Sequence, residues 1–248
     1  MITDILTVMW KDRKGLMRQG GSRARGAANQ LLIVVMLAVI FPIQMGSDWF
    51  SHSLTLVAAF VIPMIAVGIT VPESFAGERE RHTLETLLAS RLPDRAILFG
   101  KLALAIIYGW GMAVVSLLLS AVVANAVGWK GHVMFYTPPI LLANLGISLL
   151  ASGLTAGLGV LISLRSATAM GATQALMMFL LVPIMVLQIA PLLLLTVVPN
   201  GQAILQQLLK SLDFTQVMLV LAAVLLVIDV ALLLVAMARF RRARLILD

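Results

Sequence analysis

Six long apolar runs constrain the fold of this 248-residue chain more than any other feature. A helix needs about 20 mostly apolar residues to cross the roughly 30 Å hydrocarbon core of a bilayer. The chain is 12% charged, about half the share usual in soluble domains. These runs predict an all-α integral membrane protein with six transmembrane helices. Their limits are 27–44, 54–71, 96–127, 138–164, 167–198 and 217–238.

The third, fourth and fifth runs are longer than one straight crossing requires. Their residues must tilt, kink or extend into water. Pro183 and Pro191 predict a kink or a break within the fifth run, since proline removes a helical hydrogen bond. Only the segment 163–168, with Arg165 as its one charge, separates the fourth run from the fifth.

The distribution of Lys and Arg predicts the orientation of the chain. Of the 18 basic residues, 16 fall on one side of the six predicted spans, and only Lys130 and Lys210 fall on the other. Basic residues concentrate in cytoplasmic loops of membrane proteins. We therefore expect a multi-pass protein of the cytoplasmic membrane with both termini in the cytoplasm. This asymmetry also accounts for the net charge of +7 without nucleic-acid binding.

Two segments outside the runs are amphipathic. Ile2, Ile5, Leu6 and Met9 follow helical spacing, which predicts an interfacial helix within residues 1–26, with a turn into the bilayer at 20–26. Residues 199–214 predict a short helix on the external side, with Ile204, Leu205, Leu208, Leu209 and Leu212 on one face.

A dense block of mixed charge stands between the second and third runs. Residues 73–101 hold five carboxylates and five Lys or Arg side chains. Within the block, Leu84, Leu87, Leu88 and Leu92 repeat at helical spacing and predict a short helix with one apolar face. Thr83 is its expected N-cap, Glu85 suits its first turn, and Pro93 ends it. Such a helix either docks in a groove of a cytosolic partner or lies in a solvated loop.

The block resembles the cytoplasmic loop of ABC-2 type transporter permeases. The resemblance rests on acidic and basic residues, then Thr-Leu-Glu, a pair of leucines, a proline, an arginine and Gly-Lys. The matching residues are Glu78, Glu80, Thr83, Leu84, Glu85, Leu87, Leu88, Pro93, Arg95, Gly100 and Lys101. His82 departs from the pattern, because these permeases usually carry glycine before the threonine. The order of the other segments resembles the same family over nearly the whole chain.

The resemblance implies a function as well as a fold. Such permeases work as pairs of six-span units, so we expect a second copy of this chain or a sister permease. Two copies of a cytosolic ABC ATPase would bind the pair, and the loop 73–95 would be the coupling helix that carries ATPase closure to the membrane. ATP and Mg²⁺ would belong to that ATPase, and the chain itself would need no cofactor. The implied function is the permease subunit of an exporter.

Sequence motifs for catalysis are absent from the chain. Gly100-Lys101 is followed by Leu102 where a Walker A motif has Ser or Thr, and the glycine that should precede it by five residues is Arg95. There is no HExxH, no GxSxG and no cysteine, and three scattered histidines do not predict a metal site. We therefore expect a protein that is not an enzyme.

Polar residues inside the runs are candidates for an intramembrane site. Asp229 lies in the middle of the sixth run, where a carboxylate is costly and by default suggests function. Asn144, Gln174 and Gln188 either line a pathway or join helices through hydrogen bonds. Gly153 and Gly157 form a GxxxG pair, which favours close helix packing.

The sequence predicts a single transmembrane domain over residues 1–248. It consists of the interfacial segment 1–26, the six-span bundle 27–238 and the basic tail 239–248. Two other functions remain open at this point: a membrane assembly or sensing subunit driven by the same kind of ATPase, and an ATP-independent carrier. The sequence does not identify the substrate.

Overall fold

The computed structural model describes residues 2–17, 22–51, 54–83, 91–197, 200, 202 and 214–240. All regular structure in these ranges is helical. Seven α-helices follow one another, and a 3₁₀ helix, η1 (Gly46–Ser51), lies between the second and the third. The α-helices are α1 (Ile2–Met17), α2 (Ser22–Met45), α3 (Leu54–Glu80), α4 (Asp94–Val127), α5 (Pro138–Ser163), α6 (Ala169–Val197) and α7 (Phe214–Arg239).

The prediction of six membrane-length helices is confirmed, with two differences in their limits and one in the continuity of a helix. Six helices are long and apolar enough to cross a membrane. Helix α3 continues to Glu80, so the first part of the charged block is an extension of the second span. Helix α2 begins at Ser22, inside the predicted turn 20–26. Helix α6 runs unbroken through Pro183 and Pro191, so the structure shows no break there.

Helices α3 and α5 form the centre of the bundle and share its most extensive contact. Helix α4 packs on both, and α2 packs on α4. Small residues are buried along α5, including Ser148, Ser152, Thr155 and Gly159, so the backbones of neighbouring helices can approach closely. A Cβ added at Gly159 would lie 2.9 Å from Cγ1 of Val71 on α3.

Helices α6 and α7 lie at the edge of the bundle. Helix α6 packs on α3 and α5, while α7 packs mainly on α5. Gly153 and Gly157 face α7: a Cβ on Gly157 would lie 2.9 Å from Cβ of Leu232. The GxxxG pair thus serves close packing in the structure, as expected.

Two hydrophobic clusters lie at opposite ends of the bundle. One contains Phe75 of α3, Ile97 of α4 and Phe240 after α7, and it includes Val8 of α1. The other contains Trp49 and Phe50 of η1 and Tyr136 of the segment between α4 and α5. The charged block lies beside the first cluster, and we call this end of the bundle the charged end.

Candidate functional site

The candidate site is the junction of α1, α3 and α4 at the charged end, where the charged block leaves the bundle. Within the block, the chain leaves α3 after Glu80 and enters α4 at Asp94. Its predicted helix, with Leu84, Glu85, Leu87 and Leu88, lies outside the described residues. The docking helix therefore stays a prediction, and the structure describes the two stems that hold it.

Lys101 is the centre of the junction. Its side chain is fully buried, although it lies in the second turn of α4, near the end of the bundle. Its ammonium lies 3.1 Å from Oδ2 of Asp12 and 3.0 Å from Oε2 of Glu78, and it donates a 2.9 Å hydrogen bond to the carbonyl of Ser74. The contact with Glu78 is an ion pair that lacks hydrogen-bond alignment. Lys101 thus joins α4 to α1 and α3 through two carboxylates and one carbonyl.

Helix α1 contributes two charges to this network, which we call the Lys101 network. Asp12 contacts Lys101, and Lys11 donates a 3.1 Å hydrogen bond to Oε1 of Glu78. Two cations and two carboxylates therefore balance one another. A buried ion pair is tolerated when the geometry is good and each charge is compensated, whereas a single charge left behind is costly. The network fixes the relative positions of the three helices.

The structure gives a separate physical reason for the Gly100-Lys101 pair. A Cβ on Gly100 would lie 2.8 Å from Cβ of Val8 and 3.1 Å from the carbonyl oxygen of Ile5. Glycine at position 100 therefore lets the α1 backbone lie directly on α4. This close contact brings Asp12, one turn after Val8, within reach of Lys101.

The end of α3 carries a left-handed residue where the resemblance expects glycine. His82 has φ of +54°, and its amide donates a 2.9 Å hydrogen bond to the carbonyl of Arg79. The hydroxyl of Thr83 donates a 3.1 Å hydrogen bond to the carbonyl of Glu78. A glycine meets this conformation without steric cost, which explains the preference for it. The amides that Thr83 would cap lie outside the described residues, so its N-cap role stays a prediction.

The remaining block residues lie around the junction. Arg81 pairs with Glu73 at 3.0 Å, back along α3. Glu80 accepts a 3.1 Å hydrogen bond from the amide of Ala169, the first residue of α6. Pro93 occupies the N-cap position of α4 with extended backbone, and Arg95 is exposed. The base of the block therefore contacts four helices: α1, α3, α4 and α6.

Sequence reasoning found Glu78 and Lys101 but missed their partners on α1. Lys11 and Asp12 belong to the segment 1–26, for which the sequence predicted only an interfacial helix. One signal was available: Asp12 lies four residues after Val8, on a face that also carries Ile5. A carboxylate on an apolar face needs a cation, and Lys101 follows the glycine that would admit a close neighbour.

Of the four intramembrane polar candidates, Asn144, Gln174 and Asp229 have described side chains, and within the described residues these three lie apart from one another. The amide of Asn144 donates a 3.1 Å hydrogen bond to Thr55 and joins α5 to α3. Asp229 of α7 faces Gly153, where an added Cβ would lie 2.7 Å from Oδ2. Gln174 is exposed near the start of α6, and the side chain of Gln188 lies outside the described residues. Asn144 and Gly153 are about 14 Å apart along α5.

Asp229 stands out among these residues because one of its oxygens has no partner. In the described part of the chain, Oδ1 is buried and accepts no hydrogen bond. Gly153 offers the carboxyl group space but no side-chain donor. The described ranges also hold no group of three His, Cys, Asp or Glu residues that could bind a metal ion.

Comparison with models of known protein families identifies a family that the chain matches. Residues 5–243 match the model of a protein family described as ABC-2 family transporter protein. The match covers α1 from its fourth residue onward, all six long helices and the whole charged block. No curated protein matches the chain significantly.

Proposed function

The chain belongs to the ABC-2 transporter family, and from that membership we propose that it is an exporter permease driven by a separate cytosolic ATPase through the loop 73–95. That it is a multi-pass membrane subunit of an ABC transporter follows from the family and the six apolar helices. The direction of transport, the coupling through the loop and the identity of the partners are the proposed part.

The Lys101 network is the observation that carries this proposal. A loop transmits motion to a bundle only if its two stems are rigidly attached to that bundle. Here the stem of the loop on α3 and the stem on α4 are joined by the buried ammonium of Lys101, 3.0 Å from Glu78 and 2.9 Å from the Ser74 carbonyl. A push on residues 84–90 would therefore move α3 and α4 together instead of bending the helix ends.

The central position of α3 gives this push a route into the bundle. Helix α3 packs on α4, α5 and α6. The hydrogen bond from the Ala169 amide to Glu80 adds a direct link between the base of the loop and the start of α6. In the proposed mechanism, ATP-driven closure of two ATPases moves the loops of two permeases, and the membrane halves rock between inward-facing and outward-facing states. ATP and Mg²⁺ stay on the ATPase.

The proposed orientation places the charged end in the cytoplasm. It is supported by the 16-to-2 asymmetry of basic residues across the spans. Helix α1 then lies at the cytoplasmic membrane interface. An ATPase at this end would meet the loop 73–95 directly.

The test is co-purification of the tagged chain in mild detergent, with identification of the proteins that elute with it. We expect an ATPase with a P-loop to elute with the wild-type chain. Leu87→Asp, which places a charge on the apolar face of the predicted loop helix, should abolish or uncouple that association. Val133→Asp makes the same kind of change at an exposed position on the opposite side and serves as the matched control.

The outcomes separate the three functions left open by the sequence. An ATPase that is retained by Leu87→Asp, with normal stimulation, would remove the coupling role of the loop. If no ATPase elutes under several gentle conditions, an ATP-independent carrier becomes the better explanation. Stimulation of the associated ATPase by a transported compound would favour an exporter over an assembly or sensing subunit.

A further inference from the structure

Helix α1 presents three faces, and within the described structure the inner face and Lys11 of the polar face contact the bundle. The inner face carries Val8, which is 1% exposed, and Asp12 of the Lys101 network. A second face, turned away from the bundle, carries Ile2, Leu6 and Trp10, which are 74%, 58% and 55% exposed. A third face is polar and includes Thr3, Thr7 and Lys11.

The exposed apolar face is a stripe and is bordered by cations. Ile2, Leu6 and Trp10 follow one another at intervals of four, which places them on one side of the helix. Lys14 continues the series, and its ammonium lies 3.7 Å from the centre of the Trp10 ring. Arg13 is also exposed and lies on the same side of the helix, about two turns after Leu6. An amphipathic helix with Trp and Leu on one face and Lys and Arg at its border lies in the headgroup region of a bilayer.

The position of α1 determines which part of the bilayer this stripe meets. Val8 packs against Gly100 near the start of α4. Helix α1 therefore lies at the charged end of the bundle, where the membrane-crossing helices emerge. At 16 residues it is about 24 Å long. Its apolar side can reach the acyl boundary, while the long side chains of Arg13 and Lys14 extend to the phosphate layer. Their charge selects lipids of negative charge.

We propose that the outer face of α1 is a binding surface for anionic phospholipid, formed by Leu6 and Trp10 in the acyl boundary and by Arg13 and Lys14 at the phosphates. The proposal rests on the orientation given above, which places this face on the inner leaflet. It does not depend on an ATPase. Because Asp12 ties α1 to Lys101 and Lys11 ties it to Glu78, lipid held on the outer face also fixes the base of the loop 73–95.

The absence of cysteine from the chain permits a direct test. Leu6→Cys carries the sole label, an environment-sensitive fluorophore, in the purified full-length chain reconstituted into vesicles. The vesicles contain phosphatidylcholine and phosphatidylglycerol, and one of the two lipids is brominated at a time to quench the label. A label at Val133→Cys, in the segment between α4 and α5, reports the same lipids on the opposite side.

We expect brominated phosphatidylglycerol to quench the Leu6→Cys label more strongly than brominated phosphatidylcholine does. A cation near the surface of an anionic membrane contributes about a fivefold preference. Arg13→Gln and Lys14→Gln should each reduce the preference by about that factor, and added salt should reduce it as well. Lys130→Gln, the same charge change on an exposed side chain of the opposite side, should leave it unchanged.

Two results would overturn the proposal. Equal quenching of the Leu6→Cys label by the two lipids, with Arg13 and Lys14 intact, would show an interfacial helix without preference for anionic lipid. A label that neither lipid quenches, but that a water-soluble quencher reaches, would show that the face meets water or a protein. The vesicles hold no ATPase, so failure here and failure of the coupling proposal can be told apart.

Discussion

Each end of the bundle holds a peripheral segment in place, and the two ends do so with different chemistry. At the charged end, α1 is held against α3 and α4 by the Lys101 network. At the opposite end, η1 and the segment between α4 and α5 are held by neutral hydrogen bonds. The indole of Trp49 donates to the hydroxyl of Tyr136 at 3.1 Å, and this hydroxyl lies 2.7 Å from that of Ser120. In both cases a peripheral segment is attached by a buried polar cluster.

The difference lies in what happens when a cluster is broken. A neutral cluster that loses one group leaves unpaired hydroxyl or N–H groups, which costs about 1–3 kcal/mol. An ionic cluster that loses one partner leaves an uncompensated buried charge, which costs about 3–5 kcal/mol. The loss of one group is therefore expected to destabilise the charged end more than the opposite end. The charged end also carries the family motif. We take this as support for a mechanical role at the charged end and a structural role at the other.

The largest expected effect comes from Lys101→Met. This change keeps the volume of the side chain but leaves the exposed Lys11 as the only cation of the described network beside Asp12 and Glu78. We expect a loss of roughly 3–5 kcal/mol in the free energy of unfolding, together with loss of coupling to the ATPase. Thermal unfolding in detergent and transport-linked ATP hydrolysis measure the two effects. Lys130→Met, at an exposed position, is the matched control.

A double-mutant cycle with Asp12→Asn decides whether the network acts as a unit. If it does, Asp12→Asn should cost less in the Lys101→Met background than in the wild type, because the repulsion between Asp12 and Glu78 is then relieved. Additive costs would show that Asp12 stabilises α1 through some other contact. The Lys101 network would then not act as a unit, and the contrast between the two ends would no longer hold.

The next effect in size is expected at the opposite end. Tyr136→Phe removes only the hydroxyl that joins Trp49 to Ser120. We expect a loss of about 1–3 kcal/mol in the free energy of unfolding, without loss of ATPase coupling. The same two assays apply. Uncoupling by Tyr136→Phe at normal expression would break the comparison, because it would give the neutral end a mechanical role.

How far the sequence could predict this molecule depends on the range of the interactions. The six spans follow from hydropathy, which is a local property, and the boundary at Ser163 and Ala169 was correct to within a few residues. The extension of α3 to Glu80 was missed, because the charges after residue 71 mark the end of the membrane and not the end of the helix. Hydropathy indicates whether a residue lies in lipid or in water, whereas the end of α3 lies beyond the apolar run, where Glu78 pairs with Lys11 of α1.

The pairing of Asp12 with Lys101 spans 89 residues of sequence and has no local signature. Glu78 and Lys101 were found only because they belong to a motif that resembles a family pattern. The motif indicated that Glu78 and Lys101 matter, but it did not indicate which residues they contact. For Asn144 and Asp229, the sequence placed a polar group in the membrane, but helix rotation determines that one faces Thr55 and the other Gly153.

A smaller effect is expected from Gly100→Ala. The added methyl group would meet Val8 at 2.8 Å and the Ile5 carbonyl at 3.1 Å, so α1 must shift away from α4. We expect a loss of about 1–3 kcal/mol from overpacking. Accessibility of a single cysteine at Val8 to a thiol reagent measures the shift directly. Gly146→Ala, where nothing lies within 4 Å of the added group, is the matched control. Equal reactivity at Val8 in both variants would mean that α1 does not depend on Gly100.

The smallest effect, and the one with the opposite sign, is expected from His82→Gly. His82 is left-handed at φ of +54°, a conformation that strains a residue with a Cβ but not glycine. We expect the free energy of unfolding to rise by about 0.5–1 kcal/mol, because this strain exceeds the cost of the greater freedom of glycine in the unfolded chain. His82→Ala keeps the Cβ and removes the imidazole, so it should bring no gain. A gain in both variants would assign the cost to the imidazole and not to the backbone. A gain in His82→Gly alone, with coupling intact, would show that the rigidity needed at the charged end lies in the Lys101 network and not in the turn that leads away from it.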